Sequence, residues 1–146
     1  MIRILFFGII LGCSLLLQGP ASAEPVNRWW SGWGMGVSEY GWSGSDGSKI
    51  YITCENNTEL GLVVAIRGID PKPKSEVLFL LNGQNIIFST MPNGDIEMKS
   101  RVSTNNLYFL YDELRTGSKM TLSFNGLSKT FSLAGSSKGL GSGLCK

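Results

Sequence analysis

Twice in this chain an Asn-Gly pair stands between two short apolar runs. Asn82-Gly83 separates residues 77–81 from residues 84–89, and Asn125-Gly126 separates residues 119–124 from residues 127–133. Both residue types tolerate the positive φ of a two-residue hairpin turn, so each pair predicts two antiparallel strands joined tightly. Upstream, Ile50, Ile52 and Cys54 alternate onto one strand face. Leu60, Leu62, Val64 and Ile66 do the same, but Val63 and Ala65 make the opposite face apolar too. That strand is therefore expected inside a sheet, with Asn56-Asn57-Thr58 as the turn before it. The same triplet is a formal glycosylation sequon. Pro71 and Pro73 make residues 70–74 a loop, and Pro92-Asn93-Gly94 makes another turn. A short polar strand is expected over 95–99, with Ile96 and Met98 inward.

One helix is expected in this part of the chain. Leu107, Leu110, Tyr111 and Leu114 recur at helical spacing, Ser103 or Thr104 can cap its start, and Gly117 stops it. Six to eight strands, consecutive hairpins and one helix give a mainly β fold with one α-helix. The expected architecture is an antiparallel twisted sheet or small sandwich with the helix packed on one side.

The first residues read differently. Arg3 precedes an apolar run of 14 residues, 4–17, which leads through Gln18-Gly19-Pro20 to Ala21-Ser22-Ala23. A basic start, a short apolar core and a small-x-small ending describe a secretory signal cleaved after Ala23. The run is short of the ~20 residues needed to cross a bilayer, so no stable membrane span is expected. Ile10-Leu11-Gly12-Cys13 also resembles a bacterial lipobox, which leaves lipidation of Cys13 as an alternative. The expected mature chain, residues 24–146, has a Trp/Gly-rich front over 24–48 and a β domain with one helix and a tied-down tail over 49–146.

Cleavage leaves two cysteines, Cys54 and Cys145. In an oxidising compartment, periplasmic or extracellular, such a pair is expected to join. The bond would fix a glycine- and serine-rich tail, where a turn or a single helical turn is expected. The mature chain carries 12 basic residues against 11 acidic ones. Without a basic stripe, a nucleic-acid partner has no electrostatic support.

The chain contains no histidine. That removes Ser-His-Asp and Cys-His catalysis and the ordinary histidine metal sites. Glu39, Asp46, Glu55, Asp95, Glu97, Asp112 and Glu113 are the acids available for a glycosidase-type pair. None stands in a context that would raise its pKa, and all read as solvated surface. A Ca²⁺ loop over 43–49 would have Asp46 as its only acid, and no phosphate-binding glycine motif is present. No catalytic residue, metal or cofactor is expected.

All four tryptophans fall within 14 residues, interleaved with glycine, in a stretch expected to be an irregular strand or loop. Trp29, Trp30, Trp33, Tyr40 and Trp42 are the candidate binding surface, since each brings a large apolar face and a polar handle. Among them, Trp33 and Trp42 are expected to be drawn toward the core. Trp29 and Trp30, close to the new N-terminus, are expected to stay exposed. Lys72 and Lys74, on a proline-stiffened loop, are a second candidate, with a plain connection as the competing reading.

From residue 49 onward the order is strand, Asn-Gly hairpin, helix ending Leu114-x-x-Gly117, hairpin, then Phe131-Ser132-Leu133-x-Gly135-Ser136-Ser137 and a late cysteine. This order resembles the module of invasion-associated locus B-like proteins and of some type VI secretion accessory proteins. The tryptophan-rich front does not match either pattern. The resemblance implies an envelope β protein with one disulfide and no catalytic residues. The expected function is an exported protein-binding domain whose partner is another envelope protein: an inhibitor, immunity or secretion-accessory protein. The alternative is a carbohydrate-binding module that stacks sugars on the N-terminal tryptophans.

Overall fold

The computed structural model describes residues 25–145. The expected leader, its cleavage after Ala23 and the alternative lipidation at Cys13 lie outside the described residues. Among the described residues, eight strands form two antiparallel sheets. Sheet I contains β1 (Trp29–Gly34), β2 (Val37–Ser43), β3 (Lys49–Glu55) and β4 (Glu59–Ala65), in that order. Sheet II contains β5 (Glu76–Leu81), β6 (Gln84–Ser89), β7 (Lys119–Phe124) and β8 (Leu127–Ser132), in the order β6-β5-β7-β8. Helix α1 (Arg101–Thr116) connects β6 to β7, and the short α2 (Ser136–Gly139) follows β8.

Both Asn-Gly turns form as the sequence requires, with φ of 48° and 77° at Asn82 and Gly83, and 52° and 75° at Asn125 and Gly126. Alternation then sets the faces. Ile50, Ile52, Leu62 and Val64 point from sheet I into the same core that Val77, Phe79, Met120, Leu122 and Phe131 fill from sheet II. Trp42 meets Phe131 edge-on across the sandwich at 5.0 Å. Helix α1 contributes Leu107, Leu110, Tyr111 and Leu114, all buried. Burial of each leucine supplies roughly 1.5–3 kcal/mol.

The helix starts earlier than Ser103 or Thr104. Ser100 is its N-cap, and its Oγ accepts the Ser103 backbone N–H at 3.1 Å. The Glu97 carboxylate collects the backbone N–H groups of Lys99 and Ser100 and the Ser103 hydroxyl, at 2.6, 2.8 and 2.8 Å. Residues 95–99 are consequently not a strand. They hold one bridge, Thr90 to Ile96, and are otherwise committed to capping the helix. Gly117 ends α1 as expected, its N–H bonding Glu113 O at 2.9 Å.

Two further expectations are corrected. The glycine-rich front is regular: β1 and β2 pair residue for residue from Trp29–Trp42 to Gly34–Val37. The strand with two apolar faces, β4, is not interior but forms an edge of sheet I.

Cys54 and Cys145 are joined across 91 residues, with their Cα atoms 5.4 Å apart. Closing a loop of this length restricts the unfolded chain, worth up to ~4–5 kcal/mol in the chain-entropy account. Replacing both cysteines with serine should lower the unfolding free energy by about that amount. Urea titration against the oxidised wild-type chain checks it, and the reduced wild type should match the double variant.

Candidate functional site

The five aromatic candidates do not make one surface. Alternation along β1 and β2 sends Trp29, Tyr40 and Trp42 toward the core and Trp30 to the outer face of sheet I. Trp29 is 6% exposed, and its indole Nε1–H donates to Ser132 O at 2.9 Å. Tyr40 is 4% exposed and packs edge-on against Tyr111 at 5.1 Å. Its hydroxyl donates to Gly143 O at 3.3 Å and accepts the Cys145 N–H at 3.1 Å. The expectation that Trp29 stays exposed is thus corrected: β8 and α2 cover it. Trp33, expected to turn inward, is 75% exposed. It stands on the core-facing side of β1, but so near the hairpin end that no second layer reaches it.

Glycine placement explains the contrast. A Cβ on Gly139 would lie 2.4 Å from Trp29 O, and one on Gly44 would lie 2.6 Å from Trp42 Cη2. On the outer face, a Cβ on Gly41 would come within 3.3 Å of the Trp30 ring and 2.8 Å of Ile50 O. Trp30 lies over that glycine, 6.0 Å from the Tyr51 ring, whose hydroxyl donates to Glu39. Three tryptophans are therefore bedded against glycines that no larger residue could replace. A Cβ on Gly34, next to Trp33, would touch nothing within 4 Å.

The tip of this hairpin departs from the other turns of the chain. Met35 and Gly36 occupy its two central positions with φ of 52° and 84°, the same geometry that Asn-Gly adopts at 82–83 and 125–126. Methionine is a poor occupant of left-handed backbone, at a cost of roughly 1 kcal/mol or more. Its side chain recovers nothing from the fold, because Met35 is fully exposed at 102%. Trp33 and Met35 thus form an apolar pair projecting from a regular hairpin. Sequence reading missed Met35. The available signal was a residue-Gly dipeptide between alternating runs.

The other candidates are placed elsewhere. The backbone of the Lys72–Lys74 loop is pinned: Lys72 N–H donates to Asn125 Oδ1 at 3.2 Å, and Lys72 O accepts the Thr90 and Ser75 hydroxyls, each at 2.7 Å. Both lysines are exposed, beside the β7–β8 turn of sheet II rather than beside Trp33. Of the acids, Asp46 pairs with Lys129 at 2.5 Å, and Lys129 also lies over the Trp42 and Phe131 rings at 5.5 and 5.4 Å. An ammonium thus stands where a cation of a 43–49 loop would sit. Among the described residues, no group of three or more His, Cys, Asp or Glu is placed to hold a metal.

The Lys129 ammonium, assisted by the Ser48 N–H and hydroxyl, holds the Asp46 carboxyl down to about 2. The Ser103 and Ser100 hydrogen bonds keep Glu97 below its usual range. A general acid needs the opposite shift. For Asp46 the folded pKa lies below the unfolded one. Its stabilising contribution is therefore complete above about pH 4 and lost as the pH falls toward 2. Thermal melts from about pH 5 to 2 should show this acid destabilisation in the wild type and a smaller one in Asp46→Asn.

No curated protein and no solved structure matches this chain. A family model does: it covers residues 27–140, which take in all eight strands, both helices and the exposed Trp33–Met35 tip. The chain belongs to the YfjT family.

Proposed function

We propose that this domain is a non-catalytic protein-binding module of an exported bacterial protein, acting as an inhibitor, immunity or secretion-accessory protein in the envelope. The observation that carries this reading is the Trp33–Met35 tip. Methionine occupies a left-handed turn position that the same chain twice gives to asparagine, and its side chain gains nothing from the fold. Strain without structural return is common where a residue serves a contact outside the molecule. Tryptophan is enriched among the residues that dominate protein interfaces, and methionine adapts to irregular apolar pockets. Export is supported by the leader-like first residues and by a disulfide that suits an oxidising compartment. The downward shifts at Asp46 and Glu97 suit neither of these two residues to the role of general acid.

The glycan-binding alternative retains one supporting observation. Trp33 lies open between Gly32 and Gly34, as a sugar-stacking platform would. Met35 separates the two readings, because an apolar thioether offers nothing to the hydroxyl-rich rim of a sugar.

Substitutions at the tip test the proposal. Met35→Asn should raise the unfolding free energy by about 1 kcal/mol, since it relieves the turn. It should also weaken capture of a stoichiometric protein partner cross-linked in the native envelope. Trp33→Ala should abolish that capture while changing stability by no more than about 0.5 kcal/mol. Capture unchanged by both substitutions would overturn the reading. Binding to cell-wall glycan fragments that depends on Trp33 but not on Met35 would favour the carbohydrate module.

A further inference from the structure

The outer face of sheet I carries large side chains that the core does not use. Strand alternation sends Trp30, Gly32, Glu39, Gly41 and Tyr51 to that side. Trp30, Glu39 and Tyr51 are each partly exposed. Gly41 stands between Trp30 and Tyr51 across the strands, and Gly32 stands directly opposite Glu39. The Trp30 ring lies over Gly41, and the space above Gly32 is open. A Cβ there would come 3.8 Å from Trp30 Cζ3 and 4.0 Å from Glu39 Oε2. Two rings and a carboxylate therefore border a gap with no side chain beneath it.

The chemistry of this corner is one-sided. The ring planes are inclined at 39° with their centroids 6.0 Å apart. A single cation can thus stand within ~6 Å of both rings, the range of a cation–π contact. The Tyr51 hydroxyl is given to Glu39 Oε1, and the Trp30 indole N–H is buried. What the corner presents is π faces and the second carboxylate oxygen, Oε2. Such a site receives donors and positive charge. A neutral sugar needs donors from its site as well, and a quaternary ammonium has no N–H for Oε2. A guanidinium fits both demands, since its plane stacks on an indole while its edge reaches a carboxylate.

The rest of the face carries charge of the same sign. Four residues along β3 from Tyr51, the exposed Glu55 stands directly opposite the exposed Glu59. Like charges at facing positions weaken a strand pair. Among the described residues, no lysine or arginine pairs with Glu39, Glu55 or Glu59. Four residues of strand span ~13 Å, at ~3.3 Å each.

We propose that this face docks an extended basic segment of a partner protein. One arginine fills the Trp30–Tyr51–Glu39 corner, and a second basic residue, four positions along the segment, meets Glu55 and Glu59. The site lies on the opposite side of β1 from Trp33, so it does not rest on the reading of the hairpin tip and can be tested apart from it.

The test is two-dimensional NMR on the oxidised protein, following the Trp30 indole and the Gly32 and Gly41 amides. The probe is the peptide Ser-Arg-Ser-Gly-Ser-Arg-Ser, and the control carries citrulline in place of both arginines. The arginine peptide should shift the three signals saturably, and citrulline should weaken binding roughly tenfold or more. Glu39→Gln, which still accepts the Tyr51 hydroxyl, should weaken it about tenfold. Trp30→Leu should do the same, with a melting curve to check its fold. Joint Glu55→Gln and Glu59→Gln should weaken binding several-fold while raising the melting temperature, because the facing like charges are gone. The proposal is overturned if the arginine peptide leaves the three signals unmoved, if the citrulline peptide binds as well, if Glu39→Gln binds unchanged, or if neutral chitotetraose produces the same shifts.

Discussion

Tyr40 ties together three parts of the molecule that the strand ladders leave separate. It sits in the middle of sheet I, packs edge-on against Tyr111 of α1, and exchanges hydrogen bonds with the main chain at Gly143 and Cys145. Tyr111 donates its own hydroxyl to Leu140 O, and burial pushes its titration upward. The Cys54–Cys145 bond completes the junction one strand away. A tail rich in glycine and serine has little intrinsic order. Two phenols and a disulfide convert it into a wall of the core, where Leu140 and Leu144 are buried. That wall covers Trp29 and Tyr40, and so decides which aromatic residues of the front hairpin are structural.

With the inner aromatics committed to the core, the front hairpin projects only its tip. The Trp33–Met35 tip offers side chains on a hairpin whose turn is held in an unfavourable conformation. The β1–β2 and β3–β4 turns adjoin at one end of sheet I, where Asn56 bonds Gly36.

Much of the β architecture was legible because its signals are local. Asn82-Gly83 and Asn125-Gly126 fix two hairpins by backbone conformation alone, and alternation at Ile50, Ile52 and Cys54 fixes a face. The helix face was equally plain, but its start was not. Ser100 caps it only because Glu97 turns back to collect neighbouring N–H groups, and a carboxylate with those partners reads as a polar strand residue in one dimension. The aromatic site misled for a different reason. Trp29 and Trp33 lie on the same side of the same strand, yet one is buried and the other bare. The difference comes from β8 and α2, which lie about a hundred residues away in sequence. Strand β4 read as interior because its composition is interior, and nothing local shows that one neighbour is missing.

The Trp29–Ser132 and Tyr40–Gly143 hydrogen bonds each span 103 residues, and the disulfide spans 91. The front hairpin is thus closed by contacts about a hundred residues downstream. Long-range closure of this kind is slow and comes late in folding. Until those residues dock, Trp29 and Tyr40 stand on an open face of sheet I, so the front hairpin is the part of the core that is completed last.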